Sequence, residues 1–170
     1  LNGVSPLYKR LNTYHKGNIG QVLAIGGAKG MPGAIRLASE AALRCGAALV
    51  SVCCHENNQA LVFNGRPELM LAPTDAKQLA NSAVMKKAKV FVLGPGLGKT
   101  DWSKALFNLV INKMTNSDEI NSNEKWLVLD ADGLTALSQT KTYCSRWVLT
   151  PHHKEAARLL GCDVASIEAD

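Results

Sequence analysis

Four short stretches of this chain carry residue types that bind or transform polar ligands, and each follows an apolar run. The first is Gly26-Gly27-Ala28-Lys29-Gly30-Met31-Pro32-Gly33-Ala34. Glycines tolerate positive φ and let a ligand come close to the backbone. The amphipathic stretch that follows supplies a helix N-terminus, whose unpaired N–H groups and dipole favour an anion. Pro32 suits that position because its missing N–H would have no partner there. The loop is neither a Gly-Lys-Ser/Thr P-loop nor a spaced G-x-G-x-x-G fingerprint. It reads as a phosphate or nucleotide contact through Gly27, Gly30 and Gly33, with a plain strand-to-helix turn as the alternative.

The second stretch, Gly94-Pro95-Gly96-Leu97-Gly98, also ends an apolar strand, and Gly96 joins the phosphate-loop set. For this loop by itself, a turn that needs glycine only for its geometry is the equal alternative. In an open parallel sheet, ligands bind beyond the C-terminal ends of the strands, so both loops fall on one edge. The third is Asp130-Ala131-Asp132-Gly133. Paired carboxylates there could hold Mg²⁺ through water or orient a polar substrate. Asp132 reads as the N-cap of a helix beginning near Leu134, and Asp130 as a functional residue. The fourth is Thr150-Pro151-His152-His153-Lys154-Glu155. Histidine titrates near neutrality, so His152 at a strand end reads as a group that binds substrate or exchanges a proton. His153 reads as structural, and Glu155 as a first-turn carboxylate that complements the helix dipole. His15-Lys16-Gly17 is weak evidence alone. Arg66-Pro67-Glu68 precedes Leu69-Met70 as polar punctuation, and periodicity assigns it no role.

The elements that must position these residues are short apolar runs alternating with amphipathic stretches, the pattern of βα repeats on a mostly parallel sheet. The strands are Gln21 to Ile25, Ala48 to Cys53, Val90 to Leu93, Trp126 to Leu129 and Trp147 to Leu149. Their nearly continuous hydrophobicity predicts burial on both faces. Helices are expected over Ala34 to Arg44, with Ile35, Ala38 and Ala42 on one stripe and Gly46 as the stop. Others are expected over Ala76 to Lys87, Trp102 to Asn112, Leu134 to Leu137 and Lys154 to Leu160. The polar segment Asn112 to Lys125 reads as a surface loop, and the chain ends at Asp170 in a short polar tail.

At 170 residues the chain fits one domain with a single core. An apolar fraction of 46% and a mean hydropathy near zero match a globular protein. No apolar run is long enough for a bilayer, and the N-terminus lacks the pattern of a signal peptide. The five cysteines are an odd number with no C-x-x-C pair, which points to a reducing cytoplasm and away from a disulfide or zinc framework. A net charge of +5 spread along the chain suits an anionic ligand or simply a solvated surface. No basic helix, aromatic-rich strand pair or zinc-finger spacing suggests nucleic acid.

Taken in order, these motifs resemble one family. His15-Lys16-Gly17 with Gly20, the Gly26–Ala34 loop, Glu40-Ala41-Ala42-Leu43-Arg44 with Gly46, Arg66-Pro67-Glu68, Gly94–Gly98, Asp130-Ala131-Asp132 and Thr150-Pro151-His152 with Glu155 are similar to the ADP- or ATP-dependent NAD(P)H-hydrate dehydratases. The resemblance runs from about His15 to Gly161. It implies a three-layer α/β/α ribokinase-like fold, with a mostly parallel sheet and helices on both faces. It also implies a repair reaction: the S epimer of hydrated NADH or NADPH is phosphorylated from ADP or ATP with Mg²⁺, and phosphate is then eliminated. By the same resemblance Ala34, Gly98 and His152 contact the hydrated dinucleotide, and Asp130 lies near the transferring phosphate. Bacterial-type members use ADP and are often fused to an upstream epimerase domain, and tetramers are common among them.

The family motif after Thr150-Pro151-His152 usually continues Pro-Gly-Glu, where His153-Lys154-Glu155 stand here, and an Asn is usual where Thr135 stands. Its lysine-glycine nucleotide loop and its Gly-Thr-Gly-Asp motif are expected well beyond Gly161. The presumed catalytic aspartate of that motif is therefore expected beyond Asp170, which leaves Asp130 as the catalytic candidate within the chain. Residues 1–14 read as a linker or extension, and 15–170 as the N-terminal portion of a dehydratase domain whose C-terminal part is missing. Such a piece is expected to be inactive alone and to leave an apolar sheet edge exposed at Trp147–Leu149. The alternatives are a ribokinase-like small-molecule kinase and a non-catalytic dinucleotide-binding domain.

Overall fold

Apolar runs without alternation require cover on both sides of the sheet, and the computed structural model shows how they obtain it. It describes residues 20–115, 125–140 and 142–169. His15-Lys16-Gly17, residues 1–14, most of the polar Asn112–Lys125 segment and the last residue, Asp170, lie outside the described residues. The strands β1 (Gln21–Ile25), β2 (Leu49–Cys53), β3 (Leu69–Leu71), β4 (Ala88–Leu93), β5 (Trp126–Leu129) and β6 (Trp147–Leu149) form one sheet in the order β3-β2-β1-β4-β5-β6. Every pairing is parallel. The helices are α1 (Pro32–Arg44), α2 (Gln59–Phe63), α3 (Ala76–Asn81), α4 (Ala83–Lys87), α5 (Asp101–Thr115), α6 (Asp132–Leu137), α7 (His153–Leu160) and α8 (Val164–Glu168).

Because successive strand residues point to opposite faces, the same strands feed two cores. Val22, Ala24, Val50 and Val52 pack with Ile35 of α1 and Val62 of α2. Leu23, Ile25, Phe91, Leu93, Leu127 and Leu129 pack on the other face with residues from α3, α4, α5 and α6. The first core stops short of β5 and β6, where Trp126 is 45% and Val148 43% exposed. Among the described strands β6 pairs with β5 alone, so the apolar edge expected there is present. Cys53 and Cys54 are unpaired and belong to these cores. Burial pushes the Cys54 thiol up to about 11 and that of Cys53 further, so both act as small hydrophobes.

Several elements differ from the sequence reading for local reasons. The helix expected over Ala76 to Lys87 is two helices broken at Ser82, whose extended backbone lets its hydroxyl cap the second by accepting from the Met85 N–H. The three-residue β3 is too short for periodicity to reveal, and it falls on the Leu69-Met70 segment that had no assigned role. Helix α1 starts at Pro32, and its buried stripe includes Ser39, whose hydroxyl donates to the Ile35 carbonyl at 2.7 Å. Gly46 does follow the helix with φ +101°. The polar tail before Asp170 contains α8, capped by Asp163 through the Ser166 N–H.

Two motifs without an assigned chemistry meet in a clamp. The Glu40 carboxylate of α1 accepts from Arg66 Nη2 at 2.9 Å and from Arg36 Nε at 2.9 Å. Arg36 also donates to the carbonyls of Leu61 and Asn64 at the end of α2. The Arg66 bond, then that of Arg36, lowers the Glu40 pKa from 4.5 to about 2. A depressed carboxylate pKa stabilises the fold fully above the unfolded value, and the contribution fades as pH falls through the folded one. Glu40→Gln is therefore expected to lower the thermal midpoint at neutral pH. The gap to the native protein should close between pH 4.5 and about 2. A gap that stays constant across that window in thermal melts would refute the clamp.

Candidate functional site at the C-terminal rim of the sheet

In a parallel sheet all strands deliver their exit residues to one rim, and here the ladder runs one residue past each strand. The Gly26 N–H donates to the Cys53 carbonyl, Gly94 to Ile25, Asp130 to Leu93 and Thr150 to Leu129, each at 3.1 Å. The first residues of all four chemistry-bearing stretches thus stand in register along one edge. The two glycine loops leave β1 and β4, adjacent strands between which the connections reverse direction, where α/β sheets open a crevice.

Side chains and backbone then join the stretches in series. The first glycine loop meets the second through Gly27 N–H to the Pro95 carbonyl (3.0 Å) and Ala28 N–H to the Gly96 carbonyl (2.7 Å). The second meets the third through Gly98 N–H to Asp132 Oδ2 (2.8 Å). The third meets the fourth through Thr150 Oγ1 to Asp130 Oδ1 (2.9 Å). The glycines at these seams are there because nothing larger fits. A Cβ on Gly26 would overlap the Pro95 carbonyl oxygen, and one on Gly96 would lie 2.8 Å from that of Met31.

The residues nominated for phosphate contact accordingly divide into two groups. Gly27 and Gly96 lie in the seam between the loops, with the Gly27 N–H and the Gly96 carbonyl engaged there. Gly30, Gly33 and Ala34 are exposed, and a Cβ on Gly30 or Gly33 would meet nothing within 4 Å. Met31, the N-cap of α1, makes no side-chain cap bond, so first-turn N–H groups such as those of Gly33 and Ala34 have neither an intrahelical partner nor a side-chain cap. Gly98 packs against the first loop, where its Cβ would sit 3.2 Å from that of Ala28. Beyond Gly98 a cavity of about 360 Å³ opens between α5 and α6, lined by Lys104, Phe107, Asn108, Asp132, Thr135 and Gln139 among others. Ala34, Asp130 and His152 are not among its walls.

Asp132 is not the N-cap of α6, which corrects the sequence reading. The helix starts at Asp132 itself, its cap is Ala131, and the Asp132 carboxylate is turned across to the Gly98 N–H. The cause is backbone conformation: Ala131 has φ +47° and ψ −116°, the one positive φ among described non-glycine residues. Such a conformation costs on the order of 1–3 kcal/mol. It aims two neighbouring carboxylates at different partners.

His152 stands at the rim as the N-cap of α7. Its Nδ1 accepts from the Lys154 N–H, and its own N–H donates to Glu155 Oε2, a reciprocal capping box. Glu155 is thereby structural, as read. His152 remains exposed, with Nε2 3.5 Å from Glu155 Oε1. His153 Nδ1 lies 3.5 Å from Glu168 of α8. Thr135, where the family usually has Asn, accepts from Arg158 at 3.0 Å and so ties α6 to α7.

The sequence reading missed Asn58. It is buried, and its side chain touches the first glycine loop three times. A signal was available, since Glu56-Asn57-Asn58 is a polar cluster just after a strand that ends on the same rim.

The chain as a whole has counterparts among known proteins. The family model of the NAD(P)H-hydrate dehydratases matches residues 22–170. The chain belongs to the NAD(P)H-hydrate dehydratase family. Among its relatives, the bifunctional NAD(P)H-hydrate repair enzyme of Coxiella burnetii is 43% identical over 173 residues, covering 99% of this chain and 32% of that protein. The ADP-dependent (S)-NAD(P)H-hydrate dehydratase of Streptococcus pneumoniae is 32% identical, covering 96% of this chain and 54% of that one. The crystal structure of the ADP/ATP-dependent dehydratase of Bacillus subtilis, co-crystallised with ATP and Mg²⁺, superposes with a TM-score of 0.74 at 28% identity. It covers 96% of this chain and 55% of that one. A ribokinase-like protein of Enterococcus faecalis superposes at 0.79 and 29% identity, covering 92% and 54%. The fold of this dehydratase-family chain is therefore α/β and ribokinase-like. The chain spans about a third of the bifunctional relative and about half of the others. Among its described residues, no helix is long and apolar enough to cross a membrane.

Proposed function

We propose that the full-length protein is an ADP-dependent (S)-NAD(P)H-hydrate dehydratase that returns hydrated NADH or NADPH to the dinucleotide, with AMP and phosphate as products. The observation that carries this reading is the hydrogen-bonded series of all four chemistry-bearing stretches along one rim, in a chain of the dehydratase family. In this reading the hydrate hydroxyl attacks the terminal phosphorus of ADP and AMP leaves. Phosphate then departs with a ring proton to restore the double bond. Ala34, Gly98 and His152 contact the hydrated dinucleotide, and the uncapped helix-start N–H groups at Gly33 and Ala34 suit its pyrophosphate.

Asp130 lies toward the transferring phosphate. Mg²⁺ usually takes one or two carboxylates, waters and substrate phosphates. Asp130 fits such an ion delivered with the nucleotide, since Thr150 engages only its Oδ1. Among the described residues no group of three or more His, Cys, Asp or Glu forms a resident metal cage. The ion would neutralise charge on the phosphates. The ADP-dependent relative supports ADP as donor, and the bifunctional relative supports a second activity, which in this reading is an epimerase fused upstream or acting separately. A cytoplasmic location and a homo-oligomer belong to the same reading.

The test is to supply full-length protein with hydrated NADH or NADPH and either ADP or ATP. Return of dihydronicotinamide absorbance with stoichiometric phosphate release is the expected result. The 170-residue chain alone, Leu1 to Asp170, is expected to give none, because it contains no Gly-Thr-Gly-Asp motif. Phosphorylation of simple alcohols in place of the hydrate would instead indicate a small-molecule kinase. Binding without turnover by the full-length protein would indicate a non-catalytic domain.

A further inference from the structure

We propose that Asn58 is a positioning residue that sets the first glycine loop for its ligand; this rests on the dinucleotide reading above. Asn58 is only 2% exposed, and a buried amide is costly unless its hydrogen-bonding groups are used. Its Nδ2 donates to the Gly27 carbonyl at 3.0 Å and to the Ala28 carbonyl at 2.6 Å. Its Oδ1 accepts from the Gly30 N–H at 3.3 Å. All three side-chain bonds go to a loop 28 to 31 residues away, and none caps the helix α2 that follows Asn58.

The effect on the loop is electrostatic as well as steric. Two successive carbonyl dipoles, which would repel an anion if they faced outward, are held inward on one NH₂ group. The Gly27 carbonyl also accepts from the His55 N–H, so the exit of β2 forms a cradle behind the loop. The bond to Gly30 then fixes where the chain turns into α1. No side-chain cap does this, because Met31 provides none. Asn58 thus decides the direction in which the Gly33 and Ala34 N–H groups point without itself reaching the ligand face.

A residue that aims ground-state contacts alters substrate binding more than the chemical step. In the full-length protein, Asn58→Ala is expected to raise KM for the hydrated dinucleotide about tenfold or more, with kcat within about threefold and KM for ADP unchanged. Hydrogen exchange at the Gly30 amide should quicken while that at Leu23 and Ile25 in β1 does not. Met85→Ala, a core truncation on the other face of the sheet, should lower the thermal midpoint and leave both KM values alone. Equal rises in both KM values, or a hydrate KM that does not move, would overturn the proposal. Binding of NADP⁺ by calorimetry separates the two readings. Wild-type protein that binds NADP⁺ without turning over the hydrate removes the proposed activity, and Asn58 is then judged on Kd. Wild-type protein that does neither overturns both.

Discussion

Gly94→Ala is expected to prevent this protein from folding, or to cost more than about 4 kcal/mol where it does fold. A Cβ at that position would overlap the Asp130 carbonyl oxygen and lie 2.7 Å from the Gly133 N, and the backbone has φ +127°. Both obstacles are backbone atoms of the neighbouring strand exit, so no side chain can swing aside. Relief would require parting β4 from β5 where the Asp130 N–H donates to Leu93, and the rim would lose its register. Against a total stability of roughly 5–15 kcal/mol, that loss is decisive. Gly30→Ala is the control, since φ is +81° there but no atom lies within 4 Å of the added methyl. It should cost only about 1–2 kcal/mol. Soluble yield and denaturant midpoints measure both. A Gly94→Ala protein as stable as Gly30→Ala would show that the rim is not packed as described.

Asp130→Asn is expected to lower kcat of the full-length protein by on the order of 10² while leaving its melting temperature within a few degrees. The substitution keeps an oxygen to accept from Thr150 Oγ1 and removes only the charge. In the proposed reaction that charge lies toward the phosphate being transferred and the ion accompanying it, so its loss should fall on turnover. Asp132→Asn separates the two carboxylates, because Asp132 is already committed to the Gly98 N–H and should act through the second loop. Steady-state kinetics with hydrated NADPH and ADP, beside thermal melts, make the comparison. A full kcat in Asp130→Asn would remove this residue from the chemistry.

Much of this architecture was legible because buried parallel strands have a strong one-dimensional signal. Leu23 and Ile25 face one core and Val22 and Ala24 the other, so the run has to be apolar throughout. Elements held by a few local bonds were less legible. The break at Ser82 depends on a hydroxyl capping Met85, and β3 is three residues joined to β2. Neither carries enough periodicity to stand out.

The sequence by itself determined the strand-and-helix alternation, the four stretches that end strands and the order in which they occur, which carried the family resemblance. Strand direction then required those stretches to share an edge. Only the tertiary structure decided which atoms within them are occupied. Gly27 and Gly96 meet across a seam, Asp132 turns to Gly98 and not to its own helix, and Glu40 clamps Arg36 and Arg66. Asn58, distant in sequence, fastens the loop at Gly27, Ala28 and Gly30. The physical reason is range. Burial patterns and turn propensities are written in neighbouring residues, whereas a hydrogen bond between two loops exists only once the sheet has brought them within about 3 Å.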